Sequence, residues 1–340
     1  MSFGRVLVTG GAGFIGSHLV EALLARGARV CVLDDFSTGR RSNLEAVRDS
    51  SALRLVEGDL VEGDELEQLV READMVFHLA AAVGVRLVVE QPVRSLRTNV
   101  RGTERLLELC ARWGRPVLYA SSSEVYGKRA RTPMREDDEL SLGAPSVARW
   151  GYACSKALGE WAALARHAEQ GLPVVIARFF NAVGARQTGR YGMVLPRMAR
   201  SALLGEPIRI YGDGTQTRCF CHVRDTVQAV LELGARVREP QVGGRIFNVG
   251  NDQEIAIGEL AERVRAAAHS RSPLERTPYE QVYGPGFEDL ARRRPCLERL
   301  EQATGFRPRT PLEVAIADVL AATRAELESA PDLADAAGRA

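Results

Sequence analysis

The sequence predicts an α/β fold with a doubly wound parallel sheet, followed by a smaller C-terminal α/β part that binds substrate. A buried strand, Arg5 to Thr9, is followed directly by a glycine-rich turn and an amphipathic helix. Predicted strands and helices then alternate along the first 180 residues, which is typical of a parallel sheet. From about residue 181, proline, glycine and arginine become frequent and the elements shorten, which indicates a second part.

The 340 residues have an ordinary globular composition, 45% hydrophobic and 26% charged. The formal net charge is +1, so no overall field favours nucleic acid or an anionic membrane. No uncharged apolar run is long enough to span a bilayer, and the first predicted strand begins too close to Met1 for a signal peptide. We therefore expect a cytoplasmic protein that binds neither nucleic acid nor membrane.

The six cysteines are scattered, without a C-x-x-C pair. Cys219 and Cys221 are two positions apart and would point the same way on a strand. No second cysteine pair completes a metal set. We expect reduced structural thiols and no metal site.

The glycine-rich turn has the spacing G-x-x-G-x-x-G, from Gly10 to Gly16. The first glycine allows a tight turn, Gly13 lets the backbone approach a pyrophosphate, and the third allows close packing of helix on strand. The helix start, with Phe14 and Ile15, supplies N–H groups and a positive dipole end. This stretch therefore predicts a dinucleotide site in a Rossmann-like sheet.

The second predicted strand, Ala28 to Leu33, ends in Asp34 and Asp35. An acidic side chain at this place accepts hydrogen bonds from the adenosine ribose hydroxyls and repels a 2′-phosphate. We therefore expect the cofactor to be NAD. Arg40 and Arg41 follow closely and keep NADP open as a second option.

The next two predicted strands end at the edge of the sheet where ligands bind. Leu53 to Val56 leads to Asp59, which is placed to meet the adenine amino group. Met75 to His78 leads to small residues that let the backbone lie along a cofactor, and a helix from about Pro92 to Trp113 follows. The cofactor-binding candidates of this stretch are Asp59, Leu60, Leu79, Ala80, Ala81 and, within that helix, Asn99.

The fifth predicted strand, Pro116 to Ala120, runs into three serines and Glu124. Hydroxyls and a carboxylate at the end of a buried strand form either a solvated turn or a reaction centre. If the helix bearing Tyr152 packs here, Ser122 can hold a substrate oxygen against that phenol, so we take Ser122, Ser123 and Glu124 as catalytic candidates. Residues 128–149 are expected to form an exposed excursion over the site.

Tyr152 and Lys156 lie four positions apart in an apparently helical run and therefore face the same way. Lys128 is the only other lysine among 45 basic residues, which indicates that position 156 needs a compact ammonium. An ammonium beside a phenol lowers the phenol's pKa and makes Tyr152 usable as a base. The pair alone is equally typical of a surface helix, and the motifs upstream give it weight.

The sixth predicted strand, Leu172 to Phe179, ends the first part. We expect residues 1–180 to bind the dinucleotide, 181–325 mainly to bind substrate with some segments returning to the first part, and 326–340 to form a loose tail. Separated arginines that converge on one cleft would bind a diphosphate, although each alone is also compatible with a solvated surface. The substrate-binding candidates are Arg86, Asn181, Arg197, Arg209, Tyr211, Arg218 and Arg293.

Taken in order, these motifs resemble the extended short-chain dehydrogenase/reductases that act on nucleotide sugars. The similarity extends to about residue 320. It rests on the glycine turn, Asp34, Asp59, His78-Leu-Ala-Ala81, the Ser-Ser-Glu turn, Tyr152 with Lys156, Arg178-Phe-Phe-Asn181 and Tyr211-Gly-Asp-Gly-Thr-Gln-Thr-Arg218.

The resemblance implies a shared opening step on the sugar. Tyr152 removes a proton from the 4-hydroxyl while C4 gives a hydride to NAD, and a 4-keto sugar forms. Lys156 positions the nicotinamide ribose and lowers the tyrosine pKa, and Ser122 polarises the oxygen. The resemblance also implies a homodimer formed by helices near 92–113 and 152–168.

Within this family, the UDP-glucuronate decarboxylases look most similar. The shared features are Ser-Glu-Val-Tyr-Gly127, Gln-Thr-Arg218 without a following aspartate, and an Arg-x-Pro sequence near the C-terminus. The resemblance implies that oxidation at C4 makes the sugar carboxylate a β-keto acid, which loses carbon dioxide to give UDP-xylose or UDP-4-keto-xylose. Glu124 and Arg218 would orient the carboxylate end.

A UDP-hexose or UDP-hexuronate 4-epimerase is the alternative function. The runs 81–86 and 185–191 look closer to epimerase-like relatives, and Cys296 stands where decarboxylases usually have aspartate. A 4,6-dehydratase is less favoured because Ser123 stands where dTDP-glucose dehydratases have aspartate. A non-catalytic dinucleotide-binding protein is disfavoured by the intact set of Ser122, Tyr152 and Lys156.

Overall fold

The computed structural model describes residues 3–83, 90–129, 131–189, 193–283 and 290–329. Its strands, numbered along the chain, are β1 Arg5–Thr9, β2 Arg29–Asp34, β3 Leu53–Glu57, β4 Met75–His78, β5 Val117–Ser122, β6 Val174–Phe179, β7 Ala182–Val183, β8 Ile208–Tyr211, β9 Thr217–Cys219, β10 Cys221–His222, β11 Arg245–Val249, β12 Glu254–Ala256, β13 Leu274–Thr277 and β14 Arg292–Arg293.

The α-helices flank these strands. They span Phe14–Leu24, Glu65–Glu72, Pro92–Leu96, Thr103–Arg112, Arg149–Gln170, Val194–Leu204, Val223–Ala235, Ile257–Ala267, Tyr279–Tyr283, Glu298–Thr304 and Leu312–Ser329. Shorter turns of 3-10 helix cover Arg41–Val47 and Ser123–Tyr126.

Seven strands form one parallel sheet in the order β11-β6-β5-β4-β1-β2-β3. The order reverses between β1 and β4, as in a doubly wound sheet whose ligands bind at that crevice. The predicted Rossmann-like α/β fold is therefore confirmed. The seventh strand, β11, comes from residues 245–249 and returns to the sheet from the C-terminal half.

The two faces of the sheet carry separate hydrophobic cores because successive strand residues point to opposite sides. Val6 and Val8 of β1 pack into the core covered by helices Phe14–Leu24 and Val223–Ala235. Leu7, between them, packs into the core beneath helices Thr103–Arg112 and Arg149–Gln170. Burial on both faces explains why these strands read as continuous apolar runs.

The helix predicted from Pro92 to Trp113 is interrupted. A π-helical turn, Arg97–Gly102, separates Pro92–Leu96 from Thr103–Arg112. Such turns insert an extra residue and re-aim the side chains within them. The turn contains Asn99, whose side chain is buried.

The excursion after β5 is less exposed than expected. Met134 is fully buried, and its backbone N–H donates to the Arg294 carbonyl at 2.7 Å. Glu136 is also buried, since its carboxylate accepts the backbone N–H of Asn248. The expectation of an exposed segment holds for about half of the described residues of 128–149. It was wrong at Met134 and Glu136, because tertiary contacts with residues far along the chain cover them.

The C-terminal half carries three small sheets, β10-β7, β12-β9-β14 and β13-β8. A third hydrophobic core, which includes Met198, Ile210, Leu260 and Ile316, lies among them. The last helix runs to Ser329, and the rest of the expected loose tail lies outside the described residues. Within the described residues, no helix is long and apolar enough to cross a membrane.

A buried ion pair joins the helix Arg149–Gln170 to the sheet. Glu160 on that helix accepts hydrogen bonds from Nε and Nη2 of Arg178 at 2.9 and 2.6 Å, and both side chains are at most 3% exposed. Ser121 at the end of β5 donates to the same carboxylate. The carboxylate therefore links one helix with the ends of β5 and β6.

Replacing Arg178 by methionine is expected to lower the free energy of unfolding by about 3–5 kcal/mol, because Glu160 would remain buried and charged without its cation. Urea unfolding followed by circular dichroism measures the loss. Arg166→Met is the matched control, since its partner Glu104 is about half exposed. For the control we expect less than about 1 kcal/mol. Equal losses in the two variants would contradict this account of the pair.

Candidate active site

A cavity of about 520 Å³ runs along the carboxyl ends of the parallel strands and into the C-terminal half. It brings together most of the residues predicted from sequence. These are Gly10, Gly13, Phe14, Ile15, Gly16, Asp34, Asp35, Asp59, Leu60, Leu79, Ala80, Ala81, Ser122, Ser123, Glu124, Tyr152, Lys156, Asn181, Arg197, Tyr211, Arg218 and Arg293.

The glycine turn is shaped by close backbone contacts. Gly10 has φ +71°, and a Cβ there would lie 2.7 Å from the backbone of Ala80. A Cβ on Gly16 would lie 2.1 Å from the Gly10 carbonyl oxygen. Gly13 is the residue before the helix Phe14–Leu24, so the helix start faces the cavity without a side chain over it. Such a cradle suits a pyrophosphate.

Asp34 lies at the end of β2 and is only 7% exposed. Its carboxylate accepts hydrogen bonds from the backbone N–H groups of Ala12 and Phe36, both at 2.9 Å. Burial raises the pKa of Asp34, and the two backbone N–H groups oppose that shift. The carboxylate is thus fixed at the cavity wall, where ribose hydroxyls would meet it.

Arg40 and Arg41, which kept NADP possible as the cofactor, each pair with a carboxylate of the protein. Arg41 pairs with Glu57 at 2.5 Å and lies over the Phe36 ring. Arg40 pairs with Glu326 at 3.3 Å. With Asp34 at the cavity and both guanidinium groups matched to carboxylates, the chemistry of this pocket fits NAD.

Asn99, predicted to bind cofactor, lies behind the cavity wall. Its Oδ1 accepts the Ala82 N–H at 2.8 Å, and its Nδ2 donates to the Ala82 carbonyl and to Ser155 Oγ. The amide therefore fixes the backbone that follows β4 rather than reaching into the cavity. Arg209 lies on the exposed side of β8, and Arg86 lies outside the described residues.

Tyr152 faces Ser122 across the cavity. Burial raises the pKa of Tyr152, and the hydrogen bond between its phenol and Ser122 lowers it. The phenol and the hydroxyl thus converge on one point, as the sequence predicted, where both can hold the same substrate oxygen. This arrangement provides one proton acceptor and one hydrogen-bond donor for that oxygen.

Lys156 is almost fully buried, and its Nζ donates to the Ala120 carbonyl at 2.8 Å. Burial lowers the pKa of Lys156 to about 7, against which the nearby Glu160 carboxylate acts. The sequence led us to expect that the Lys156 ammonium would lower the Tyr152 pKa. That expectation was wrong for this structure, because the ammonium is bonded to Ala120 and burial dominates at Tyr152.

Glu124 is held between two arginines that also line the cavity. Its Oε1 accepts from Arg293 Nη1 at 2.7 Å and its Oε2 from Arg149 Nη2 at 3.3 Å. Burial raises the pKa of Glu124, but the two guanidinium groups outweigh it and lower the pKa to about 2. We call these three residues the charge cluster, in which one carboxylate contacts two guanidinium groups.

Arg149 was missed in the sequence, although a signal for it exists. It lies three positions before Tyr152 on the same helix, so both side chains share one helix face. Its side chain is 6% exposed and lines the cavity. The sequence placed Arg218 beside Glu124, whereas the structure pairs Glu124 with Arg149 and Arg293.

The other arginines of the C-terminal half border the far end of the cavity. Arg218 Nη1 donates to the carbonyls of Thr217 and Leu290, both at 2.8 Å. Arg197 lies over the Tyr211 ring, 4.1 Å from its centroid. Further cavity residues carried no sequence signal because they come from irregular loops and short elements; they include Gln187, Thr188, Gln216, Phe220 and Tyr279.

A group of histidine, cysteine or carboxylate side chains that could hold a metal ion does not occur among the described residues. All six cysteines are free thiols, as expected.

A sheet that binds ligand at its carboxyl edge, with a tyrosine, a serine and a lysine at that edge, is the architecture of a dinucleotide-dependent enzyme. The model of the NAD dependent epimerase/dehydratase family matches residues 6–250. The chain belongs to this family, which confirms the resemblance seen in the sequence.

Particular relatives narrow the comparison. A UDP-N-acetyl-alpha-D-glucosaminuronate decarboxylase of Bacillus cytotoxicus is 38% identical over 317 residues, covering 93% of this chain and 96% of its own. UDP-glucuronic acid decarboxylase 1 of Danio rerio is 34% identical, covering 95% and 73%. The solved structure of MoeE5 in complex with UDP-glucuronic acid and NAD is 34% identical, with a TM-score of 0.81 and coverage of 95% and 100%.

Replacing Lys156 by methionine is expected to stabilise the cofactor-free protein in a pH-dependent way. The folded pKa of about 7 lies below the ordinary value of 10.5, so the unfolded chain binds the extra proton between these values. The wild-type protein therefore gains stability as pH rises from 7 to 10.5, and the buried charge costs most below pH 7. The variant should be the more stable protein near neutral pH, with the difference shrinking at higher pH.

Urea unfolding from about pH 6 to about pH 10 measures this difference. Lys128→Met, at the other, exposed lysine, is the matched control for the substitution. A difference between Lys156→Met and wild type that stays constant over this pH range would show that the Lys156 charge is not strained by burial.

Proposed function

We propose that this protein is an NAD-dependent decarboxylase that converts UDP-glucuronate, through a 4-keto intermediate, into UDP-xylose or UDP-4-keto-xylose. The observation that carries the proposal is the charge cluster of Glu124, Arg149 and Arg293 beside Tyr152 and Ser122. A sugar held by its 4-hydroxyl at Tyr152 would present a C5 carboxylate to the guanidinium groups of this cluster, which line the same cavity. The named activities of relatives in this family support the same reaction.

Oxidation at C4 comes first. Tyr152 takes the proton of the 4-hydroxyl, and Ser122 donates a hydrogen bond to the same oxygen. NAD, held by the glycine turn and Asp34, would supply the oxidising power as the acceptor of the C4 hydride. Lys156, whose Nζ is bonded to the Ala120 carbonyl, would hold the nicotinamide ribose beside Tyr152 when NAD is bound.

Loss of carbon dioxide follows from the 4-keto group. The C5–C6 bond breaks, its electron pair moves toward the C4 oxygen as an enolate, and C6 leaves as carbon dioxide. Tyr152 and Ser122 hold the enolate oxygen until C5 takes a proton. The arginines position the substrate carboxylate. The negative charge of Glu124 keeps the arginines from neutralising that carboxylate completely. The substrate carboxylate is therefore favoured to leave as neutral carbon dioxide.

The state of Glu124 argues against dehydration. A 4,6-dehydratase needs a group that both gives and takes protons near neutral pH. The guanidinium groups keep the pKa of Glu124 at about 2, so this carboxylate stays ionised. Ser123 offers no acid in its place. A 4-epimerase remains the second candidate, because it needs the same oxidation at Tyr152 and the family includes epimerases.

The product mass after incubation with a panel of nucleotide sugars tests the proposal. UDP-glucuronate should lose carbon dioxide, whereas an epimerase would return a product of unchanged mass. UDP-N-acetylglucosaminuronate belongs in the panel because a relative named for it is 38% identical. Unchanged UDP-glucuronate with NAD present and enzyme in excess would refute the proposed reaction.

Two variants distinguish C4 oxidation from the release of carbon dioxide. Tyr152→Phe should slow all turnover by roughly a hundredfold to ten-thousandfold, because it removes the base. Arg293→Met should slow carbon dioxide release by roughly a hundredfold, since the carboxylate end loses its positioning cation. The matched control is Arg292→Met, because Arg292 is exposed and pairs with Glu254 on the surface. Equal activity in the Arg292 and Arg293 variants would show that the charge cluster has no role in carbon dioxide release.

We also propose a homodimer, supported by an apolar patch on two packed helices. Val93 and Leu96 are 80% and 44% exposed, and Leu158 and Trp161 are 44% and 63% exposed. Each pair lies three positions apart and so shares a helix face. Such side chains on adjacent helices suit a second copy of the same surface.

Trp161→Glu is expected to convert the dimer to a monomer, because a charge would be buried at the centre of this patch. Sedimentation velocity measures the change in mass. Glu169→Gln, on an exposed position of the same helix outside the patch, serves as the control. A wild-type protein that sediments as a monomer at micromolar concentration would contradict the proposed dimer.

We also propose that residues 1–180 bind the cofactor and that residues 181–325 mainly bind the substrate. The glycine turn and Asp34 support a cofactor role for residues 1–180, and the arginines at the far end of the cavity support a substrate role for residues 181–325. We propose a cytoplasmic location, which the six free thiols support, since disulfides are rare in reducing compartments.

A further inference from the structure

The charge cluster is assembled from segments far apart in sequence. Glu124 lies in the 3-10 turn Ser123–Tyr126, and Arg293 lies on β14, 169 positions later. β14 has only two residues and pairs with the short strand β9. A strand this short holds its register weakly, so other contacts must fix where Arg293 lies.

Asn248, at the carboxyl end of β11, touches both segments. Its Oδ1 accepts the phenol hydrogen of Tyr126 at 2.7 Å, two residues after Glu124. Its Nδ2 donates to the Cys296 carbonyl at 3.2 Å, three residues after Arg293, and to the Met134 carbonyl at 2.9 Å.

Met134 is also bonded directly to the segment that follows Arg293. Its N–H donates to the Arg294 carbonyl at 2.7 Å, and its carbonyl accepts the Cys296 N–H at 2.8 Å. The Asn248 amide therefore lies across a small backbone ladder that immediately follows Arg293. The backbone N–H of Asn248 donates to Glu136, which ties down the same excursion from the other side.

These contacts are shielded from water. Asn248, Tyr126 and Met134 are each 0% exposed. A buried amide has one acceptor and two donor hydrogens, and here the phenol can only be the donor to Oδ1 while both carbonyls can only accept from Nδ2. The partners thus fix the amide orientation, and a carboxylate of the same shape would face two carbonyl oxygens without a hydrogen to share.

We propose that Asn248 is a positioning residue that sets the Glu124–Arg293 contact and so controls the decarboxylation step. This inference rests on the proposed function, because the contact is taken to position the carboxylate that leaves as carbon dioxide. Asn248 lies outside the cavity lining and touches neither Tyr152 nor Lys156, which are held by the helix Arg149–Gln170. Its effect on the first oxidation should therefore be small.

Asn248→Asp tests the proposal by removing the two donor hydrogens while keeping the shape. Mixing NAD-loaded enzyme with UDP-glucuronate allows the absorbance of reduced nicotinamide to report C4 oxidation, while carbon dioxide release reports decarboxylation. We expect oxidation within about twofold of wild type and carbon dioxide release slower by roughly tenfold to a hundredfold, the usual effect of a small misplacement. Tyr126→Phe, which removes one hydrogen bond only, should shift the same ratio less and serves if Asn248→Asp does not fold.

Asn251→Asp is the matched control, since Asn251 is also buried but its side chain accepts only from the nearby Gln253 N–H. A crystal structure of Asn248→Asp gives a readout independent of turnover, in which the Glu124 Oε1 to Arg293 Nη1 distance should exceed the 2.7 Å of this structure by more than about 1 Å. An unchanged distance, or equal slowing of both steps, would overturn the proposal. Wild-type enzyme that releases no carbon dioxide would instead refute the proposed function, while the distance would still decide the role of Asn248.

Discussion

A carboxylate shielded from water needs hydrogen-bond donors or a cation to stay ionised, and at two places in this site the partners are arginines. Glu160 is compensated by Arg178, which ties the helix of Tyr152 and Lys156 to the ends of β5 and β6. Glu124 is compensated by arginines from that helix and from the C-terminal half. The first pair fixes the oxidising groups, and the second brings the carboxylate end of the cavity against them. The two halves of the chain are joined where the chemistry has to occur.

Much of the dinucleotide part could be predicted because its signals are local. The glycine spacing, Asp34 and the serine-rich end of β5 each follow a strand, and parallel strands place their carboxyl ends at one edge. Convergence of these residues in one cavity needed no knowledge of distant contacts. The fold class and family were therefore confirmed. The prediction that Asn99 contacts the cofactor differs from the structure, because Asn99 lies in a π-helical turn and its amide bonds to the Ala82 backbone.

The sugar end could be predicted only in part, because it is built by long-range contacts. Glu124 was recognised, but its two partners lie 25 and 169 positions away, and no sequence spacing links them to Glu124. The family resemblance pointed to Arg218 as the arginine acting with Glu124, whereas the structure pairs Glu124 with Arg149. The excursion after β5 has the composition of a solvated loop, yet Met134 within it is buried, because Asn248 and Cys296 satisfy its backbone carbonyl. The upward shift of the Tyr152 pKa likewise follows from burial, which sequence spacing does not reveal.

The fate of C5 during turnover tests the central claim most directly. When C6 leaves as carbon dioxide, C5 must take a proton, and in heavy water that proton comes from the solvent. Proton NMR and mass spectrometry after incubation of NAD-loaded enzyme with UDP-glucuronate in heavy water would follow this exchange. The account predicts a UDP-pentose that has lost carbon dioxide and carries one deuterium at C5. A UDP-hexuronate of unchanged carbon number, inverted at C4 and without deuterium at C5, would contradict it and assign the site to epimerisation.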